Sequence, residues 1–233
     1  MAEPFSTRYA RVVLFGDSIT QFGYSLSEQG WCAALASRFQ RRADIIHRGF
    51  SGYNTRWAKA LLPSLVNADN VPEFIVIFFG ANDAATDDHQ HVPLSEYRDN
   101  LTAMCQYLFG LGMPGSSVLL VTPPPVHDED WEAMSGIHGN RTFAKAQQYA
   151  SAVMEVGASL GVGVVNVFRE IAKKKDFREC LMDGLHLGDH GNEILAEMVI
   201  AVLEERLTGW NPVFPDWTDI DSKSYPQQLR ANL

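Results

Sequence analysis

Four short groups along the chain combine residue types that could carry out covalent catalysis. They are Gly16-Asp17-Ser18-Ile19-Thr20, Gly49-Phe50-Ser51-Gly52-Tyr53-Asn54, Gly80-Ala81-Asn82-Asp83 and, far downstream, Asp183-Gly184-Leu185-His186. Between them they offer a hydroxyl, an imidazole, a carboxylate three positions from that imidazole, and an amide and glycine N–H groups as hydrogen-bond donors. A serine hydroxyl is a weak nucleophile without an adjacent base, and imidazole is the side chain that changes charge near neutral pH. An oxyanion formed by such an attack needs fixed donors. Taken singly, each group is ordinary turn chemistry, and one histidine ahead of a helix is as readily a structural residue. Their joint placement carries the argument.

Positioning them requires elements that gather distant groups on one face. Short β-rich apolar runs at Val12–Phe15, Ile45–His47, Phe74–Phe79, Val118–Val121 and Val164–Phe168 alternate with segments of helical period near Trp31–Arg41, Thr55–Val66, Ser95–Phe109, Arg141–Leu160 and Asn192–Leu207. That alternation predicts an α/β fold, a parallel sheet wrapped by helices. In such a sheet ligands bind beyond the carboxyl ends of the strands. The first three groups follow the first three strands, and the fourth precedes the final helix. Two long stretches lack a clear period: Pro123 to Gly139, and a tail after Gly209 with Trp210, Phe214 and Trp217 among prolines. With no repeat or charged linker, the 233 residues are expected to form one catalytic domain over 1–208. Residues 209–233 are expected to form an arm on its surface, covering a groove or contacting a second copy.

Gly16-Asp17-Ser18, Gly52, Gly80-Ala81-Asn82-Asp83 and Asp183 with His186 resemble, in order and interval, the four sequence blocks of the GDSL, or SGNH, hydrolases. Val13 to Thr20, Gln29-Gly30-Trp31 and Gly49 to Asn54 look most like the isoamyl acetate-hydrolysing esterase branch. The resemblance implies a three-layer α/β/α, flavodoxin-like fold with a five-stranded parallel sheet. It implies Ser18 as nucleophile, His186 as base and Asp183 as its partner. The oxyanion donors would be the Ser18 and Gly52 backbone N–H groups and the Asn82 side chain. No cofactor or metal is expected. The implied activity is hydrolysis of small neutral carboxylic esters through an acyl-enzyme, with lipid esters and thioesters as alternatives within the family. Two readings of other classes compete: a catalytically silent binding module, and a signalling domain accepting phosphate on Asp17 or Asp83.

Composition narrows the partners. The formal net charge of −9 argues against nucleic acid, whose binding relies on Lys and Arg displacing counterions. No apolar run approaches the ~20 residues of a membrane span or the core of a signal peptide. Cys32, Cys105 and Cys180 show no paired spacing and suggest reduced core thiols in the cytoplasm. Gly157-Ala158-Ser159-Leu160-Gly161 matches a nucleophile elbow, and Gly110 to Gly115 a dinucleotide loop, but both join helix to strand, the reverse of what those motifs need. His89 and His91 lack a third metal ligand and suggest a polar loop. Nine acids stand in three stretches free of Lys and Arg: Asp87 and Asp88; Asp128, Glu129, Asp130 and Glu132; and Asp216, Asp219 and Asp221. Two of these stretches follow the third and fourth strands, so the site is expected to disfavour anionic substrates.

Overall fold

The five apolar runs become five parallel strands: β1 (Ala10–Gly16), β2 (Ala43–Gly49), β3 (Phe74–Phe78), β4 (Val118–Val121) and β5 (Gly163–Val165), in the order β2-β1-β3-β4-β5. This computed structural model describes residues 8–225 apart from 26, 28, 88, 208, 209 and 211. The helices are α1 (Ser18–Gln21), α2 (Trp31–Arg38), α3 (Thr55–Leu65), α4 (Leu94–Gly110), α5 (Asp128–Ser135), α6 (Phe143–Leu160), α7 (Val167–Ala172) and α8 (Asp189–Arg206). Side chains alternate across the sheet, so consecutive strand residues feed opposite cores. Val12, Leu14, Val76, Phe78 and Leu119 pack with Trp31 and Leu35 of α2 and Leu195, Val199 and Leu203 of α8. Val13, Phe15, Ile75, Ile77 and Leu120 pack with Leu62 of α3, Leu101 and Met104 of α4 and Val153 of α6. The result is the expected three-layer α/β/α architecture, and β3, β4 and β1 from Val12 onward are apolar because both faces are covered.

Two expectations are corrected. The run Val164–Phe168 is not one strand: β5 ends at Val165, and Asn166 caps α7, its side chain accepting from the Arg169 N–H at 3.0 Å. Capping satisfies a helix-end donor that an extended chain would send elsewhere. The stretch from Pro123 to Gly139 is not wholly irregular either. It holds α5, with three acids in its first turn, and the helix ends at Gly136 in the left-handed conformation. Acids are favoured where the helix dipole is positive, and glycine terminates a helix without strain.

Trp210, Val213, Phe214, Pro215 and Asp216 of the tail lie away from the carboxyl ends of the strands. Trp210 packs against the α2–α8 core, the Val213 N–H donates to the Arg41 carbonyl, and the Arg41 guanidinium donates to the carbonyls of Phe214 and Pro215, both at 2.9 Å. Arg41 and Arg42 immediately precede β2, so Trp210, Val213, Phe214 and Pro215 are held at the amino end of the sheet. The expected boundary at 208 and 209, and the last residues 226–233, lie outside the described residues.

Candidate active site

Close packing at the end of β1 turns the chain and presents Ser18. A Cβ at Gly16 would lie 2.0 Å from Thr20 Oγ1 and 2.6 Å from the Phe78 carbonyl oxygen, so no side chain fits there. Asp17 then caps α1, its Oδ1 accepting from the Ile19 N–H at 2.9 Å. Ser18 is the first residue of that short helix and is 5% exposed.

The distant fourth group meets it. Ser18 Oγ lies 2.9 Å from His186 Nε2, and His186 Nδ1 lies 2.6 Å from Asp183 Oδ2. Asp183 Oδ1 accepts from the Leu185 and His186 N–H groups at 2.9 and 2.8 Å, which makes the three-residue spacing a closed local turn. Gly184 in this turn has φ +89°, and a Cβ on it would come within 2.5 Å of the Trp131 nitrogen. The Met182 N–H donates back to the His186 carbonyl at 2.9 Å, pinning the loop from the other side. Because the carboxylate only accepts, the network assigns the proton to Nδ1 and leaves the Nε2 lone pair facing the serine hydroxyl. Burial alone would raise the Asp183 carboxyl. The His186 side chain, with the His186 and Leu185 N–H groups, outweighs this and holds it below its ordinary value.

The second and third groups converge beside this chain of bonds. Gly52 adopts φ +82°, a conformation that favours glycine, and among the described residues its N–H has no protein acceptor. Asn82 is 4% exposed, and its Nδ2 donates to the Tyr53 carbonyl at 2.9 Å. A side-chain amide carries two N–H donors, so one remains. Its Oδ1 accepts from Arg141 Nη2 at 3.0 Å and from Gln90 Nε2 at 3.3 Å, and Gln90 Nε2 also donates to the Gly52 carbonyl at 2.9 Å. Thus the structure gathers Ser18, Gly52, Asn82, Asp183 and His186 at one end of the sheet. Arg141 and Gln90 are additional, and sequence reasoning missed them.

Comparison with known proteins identifies the family. The profile of the GDSL-like Lipase/Acylhydrolase family matches residues 14–194. The chain belongs to that family. Among its relatives, the Homo sapiens protein named isoamyl acetate-hydrolyzing esterase 1 homolog is 41% identical over 221 residues, spanning 91% of this chain and 88% of that protein. A GDSL esterase/lipase of Arabidopsis thaliana is 35% identical over 231 residues, spanning 91% of this chain and 94% of that protein. The crystal structure of a lipase/acylhydrolase from Enterococcus faecalis superposes with a TM-score of 0.73 at 25% identity, covering 88% of this chain and 100% of that one.

Within this GDSL-family site, aromatic and thioether groups flank the imidazole. The Phe22 ring stands 5.3 Å from that of His186 and is 43% exposed, while Trp131 stands 6.1 Å away on α5 and is buried. Met182 is also exposed beside them. Phe50 and Tyr53 stack on each other at 5.3 Å, half-buried against the α3–α4 side of the core. Tyr24 packs edge-on to His47 instead, on the β2 edge. The discarded motifs stay structural. Ser159 bonds the Val156 carbonyl within the last turns of α6, and Gly110 to Gly115 links α4 to β4. His91 Nδ1 lies 3.1 Å from the Asp83 carbonyl and His89 packs on Trp57. Among the described residues, no group of three metal-ligating side chains occurs.

Asp17 and Asp83 flank the site residues and are sealed beneath them, at 1% and 0% exposure. Burial pushes the Asp17 carboxyl up to about 7 despite the Ile19 N–H. Burial likewise pushes Asp83 up to about 7 against two bonds from Thr55, and the charge of Asp17 adds to the rise. Such a group binds its proton more tightly in the folded state. Its stabilising contribution is complete below the ordinary value of 3.8 and is lost as pH rises toward 7. The slope is roughly 1 kcal/mol per pH unit per group. Asp83→Asn should therefore lose less stability than the native protein between about pH 5 and pH 7 in denaturant melts. Parallel profiles for the two proteins would contradict a protonated Asp83.

Proposed function

We propose that the protein is a serine esterase that hydrolyses small neutral carboxylic esters through an acyl-enzyme. The observation that carries this reading is the pair of short hydrogen bonds joining Ser18 Oγ to His186 and His186 to Asp183. Ser18 Oγ attacks the ester carbonyl carbon as His186 Nε2 takes its proton, and the carbonyl oxygen becomes an oxyanion held by the Ser18 and Gly52 N–H groups and Asn82 Nδ2. Collapse of this intermediate breaks the bond to the alkoxy oxygen, which leaves as alcohol with the proton from His186. Water then attacks the acyl-Ser18 carbonyl in the same manner, and acid is released. Asp183, held ionised, keeps the imidazole in one tautomer and stabilises the imidazolium. Labelling of the native chain by a fluorophosphonate at Ser18, together with hydrolysis of a chromogenic acetyl ester, tests the assignment. Labelling at any other residue would overturn it.

Short acyl or alkyl groups fit the exposed Phe22 and Met182 beside His186, and the esterase named among the relatives supports the same substrate class. A steep preference for acetyl over long acyl chains is the expected profile. The acidic stretches refine the charge preference. Asp130 pairs with Arg178 at 2.6 Å, so part of the charge on α5 is neutralised, and Glu132 lies 2.7 Å from the His138 ring. Asp128 accepts from the Phe143 N–H and Asp87 from the Gln90 N–H, and the field of Asp87 is partly met by the buried Arg141 guanidinium, which leaves Asp128 the less compensated of the two. Asp216 of the tail pairs with Arg41 at the other end of the sheet, and Asp88 lies outside the described residues. We expect kcat/KM for a neutral ester to exceed that for its carboxylated analogue by roughly 3- to 10-fold at low ionic strength, converging as salt is added. Equal values at low salt would refute this.

Phosphoryl acceptance on Asp17 or Asp83 is disfavoured because neither carboxyl reaches solvent. The three free, buried cysteines suit a reducing compartment, which supports a cytoplasmic location. No helix among the described residues is long and apolar enough to cross a membrane.

A further inference from the structure

We propose that Arg141 is a positioning residue for the oxyanion site: its buried guanidinium fixes and polarises the Asn82 amide that donates to the tetrahedral oxygen. The inference rests on the reading of Asn82 given above. Arg141 is 5% exposed, and its Nε donates to the Ala81 carbonyl at 3.1 Å. Its Nη2 donates to Asn82 Oδ1 at 3.0 Å and to Gln90 Oε1 at 2.6 Å. All three acceptors are uncharged oxygens, and two belong to the turn that carries Asn82. The neighbouring Asn140 ties that turn again, since the Thr86 N–H donates to its carbonyl and to its Oδ1, at 2.9 and 3.2 Å. On the other side the guanidinium stacks 5.0 Å from the Trp131 ring, which in turn stands against His186.

Two physical effects follow. An asparagine amide can rotate by half a turn with almost no change of shape, and the reversed amide would aim an acceptor at the oxyanion. Arg141 has donors only, so it holds Oδ1 toward itself and leaves Nδ2 facing Tyr53 and the site. Gln90 contributes its own Nε2 to the same oxygen, and its Oε1 is held by Arg141, so one guanidinium orients both amides. The second effect is electrostatic. A buried cation whose hydrogen bonds go to neutral oxygens is costly in the resting protein, offset only in part by the more distant charges of Asp87, Asp17 and Asp183, and its charge has the sign needed by the negative oxygen that appears only during reaction. Hydrogen bonds in series also polarise one another, strengthening the remaining Asn82 N–H.

The test is steady-state kinetics on a short-chain chromogenic ester, with active sites counted by fluorophosphonate labelling carried to completion. Arg141→Met should lower kcat per labelled site about 10- to 100-fold, part of the roughly 10²–10³ carried by the Asn82 donor itself, with KM changed less than about 2-fold. In an Asn82→Ala background the same substitution should change kcat by less than about 2-fold, because its effect runs through the missing amide. Arg141→Lys, which keeps the charge but not the planar fork of donors, should recover part of the loss. A purely structural role would lower the melting temperature and the labelled fraction equally in both backgrounds and leave kcat per site unchanged. That result, or an effect on KM alone, overturns the proposal. Should Arg141→Met fail to fold, Arg141→Lys carries the measurement, and native kcat per site with native KM in that variant overturns it. Full turnover by Asn82→Ala would instead remove the oxyanion reading on which the proposal stands.

Discussion

Ser18→Ala is expected to lower ester turnover by about 10⁶-fold while leaving the fold intact. The alanine removes only the Oγ that faces His186 Nε2 at 2.9 Å, at the start of a helix whose cap is made by Asp17. Melting temperature should move by no more than a few degrees. Residual catalysis over water, from donors and binding alone, should be roughly 10³–10⁴. Adding His186→Ala to the same chain should cost little more, since the two groups act as one unit and their losses do not add. Initial rates on a chromogenic acetyl ester, with labelling as a control for contaminating esterase, decide the matter. Native activity in Ser18→Ala would end the acyl-enzyme mechanism.

Asn82→Ala is the second large effect, with kcat reduced about 10²–10³-fold, equivalent to about 2.7–4 kcal/mol of transition-state stabilisation. The loss should appear in kcat rather than KM, because the donor is aimed at charge absent from the bound ester. Stability should also fall by about 1–3 kcal/mol. Truncation leaves Arg141 Nη2 and Gln90 Nε2 without the oxygen they share, and leaves the Tyr53 carbonyl without its donor. Denaturant melts alongside the kinetics separate the two losses. A fully active Asn82→Ala protein would contradict the donor role.

The sheet and the five expected site residues are legible in sequence for one physical reason. Parallel strands covered on both faces are unbroken apolar runs, and the residues that close them, such as Gly16, Gly49 and Gly80, are forced by local crowding or positive φ. Chemistry placed at such breaks is visible without a structure. Asn166 is a polar residue inside an apolar run, and it is the signal that β5 gives way to α7. Helix α5 hides for the opposite reason: after Pro123, Pro124 and Pro125 its acids look like loop residues, although acids suit a first helical turn. Arg141 and Gln90 leave no signature of their own. They reach Asn82 from 59 and 8 positions away through loop backbone without period. Gln90 also stands between His89 and His91, whose metal-like pairing is the more conspicuous pattern. A lone arginine just ahead of the Thr142 cap of α6 was the available hint.

The bond between Ser18 and His186 closes 168 positions of chain. A ribosome must therefore release most of the sequence before the two residues proposed as nucleophile and base can meet. Until the Asp183–His186 turn and α8 fold onto the sheet, Ser18 stands at the end of β1 without its imidazole partner, and on the proposed mechanism the nascent chain would be inactive. Long-range closure of this kind slows folding. It also makes catalytic competence a late event in biogenesis, so the first burst of hydrolysis during refolding would time the arrival of the last helix rather than the formation of the sheet.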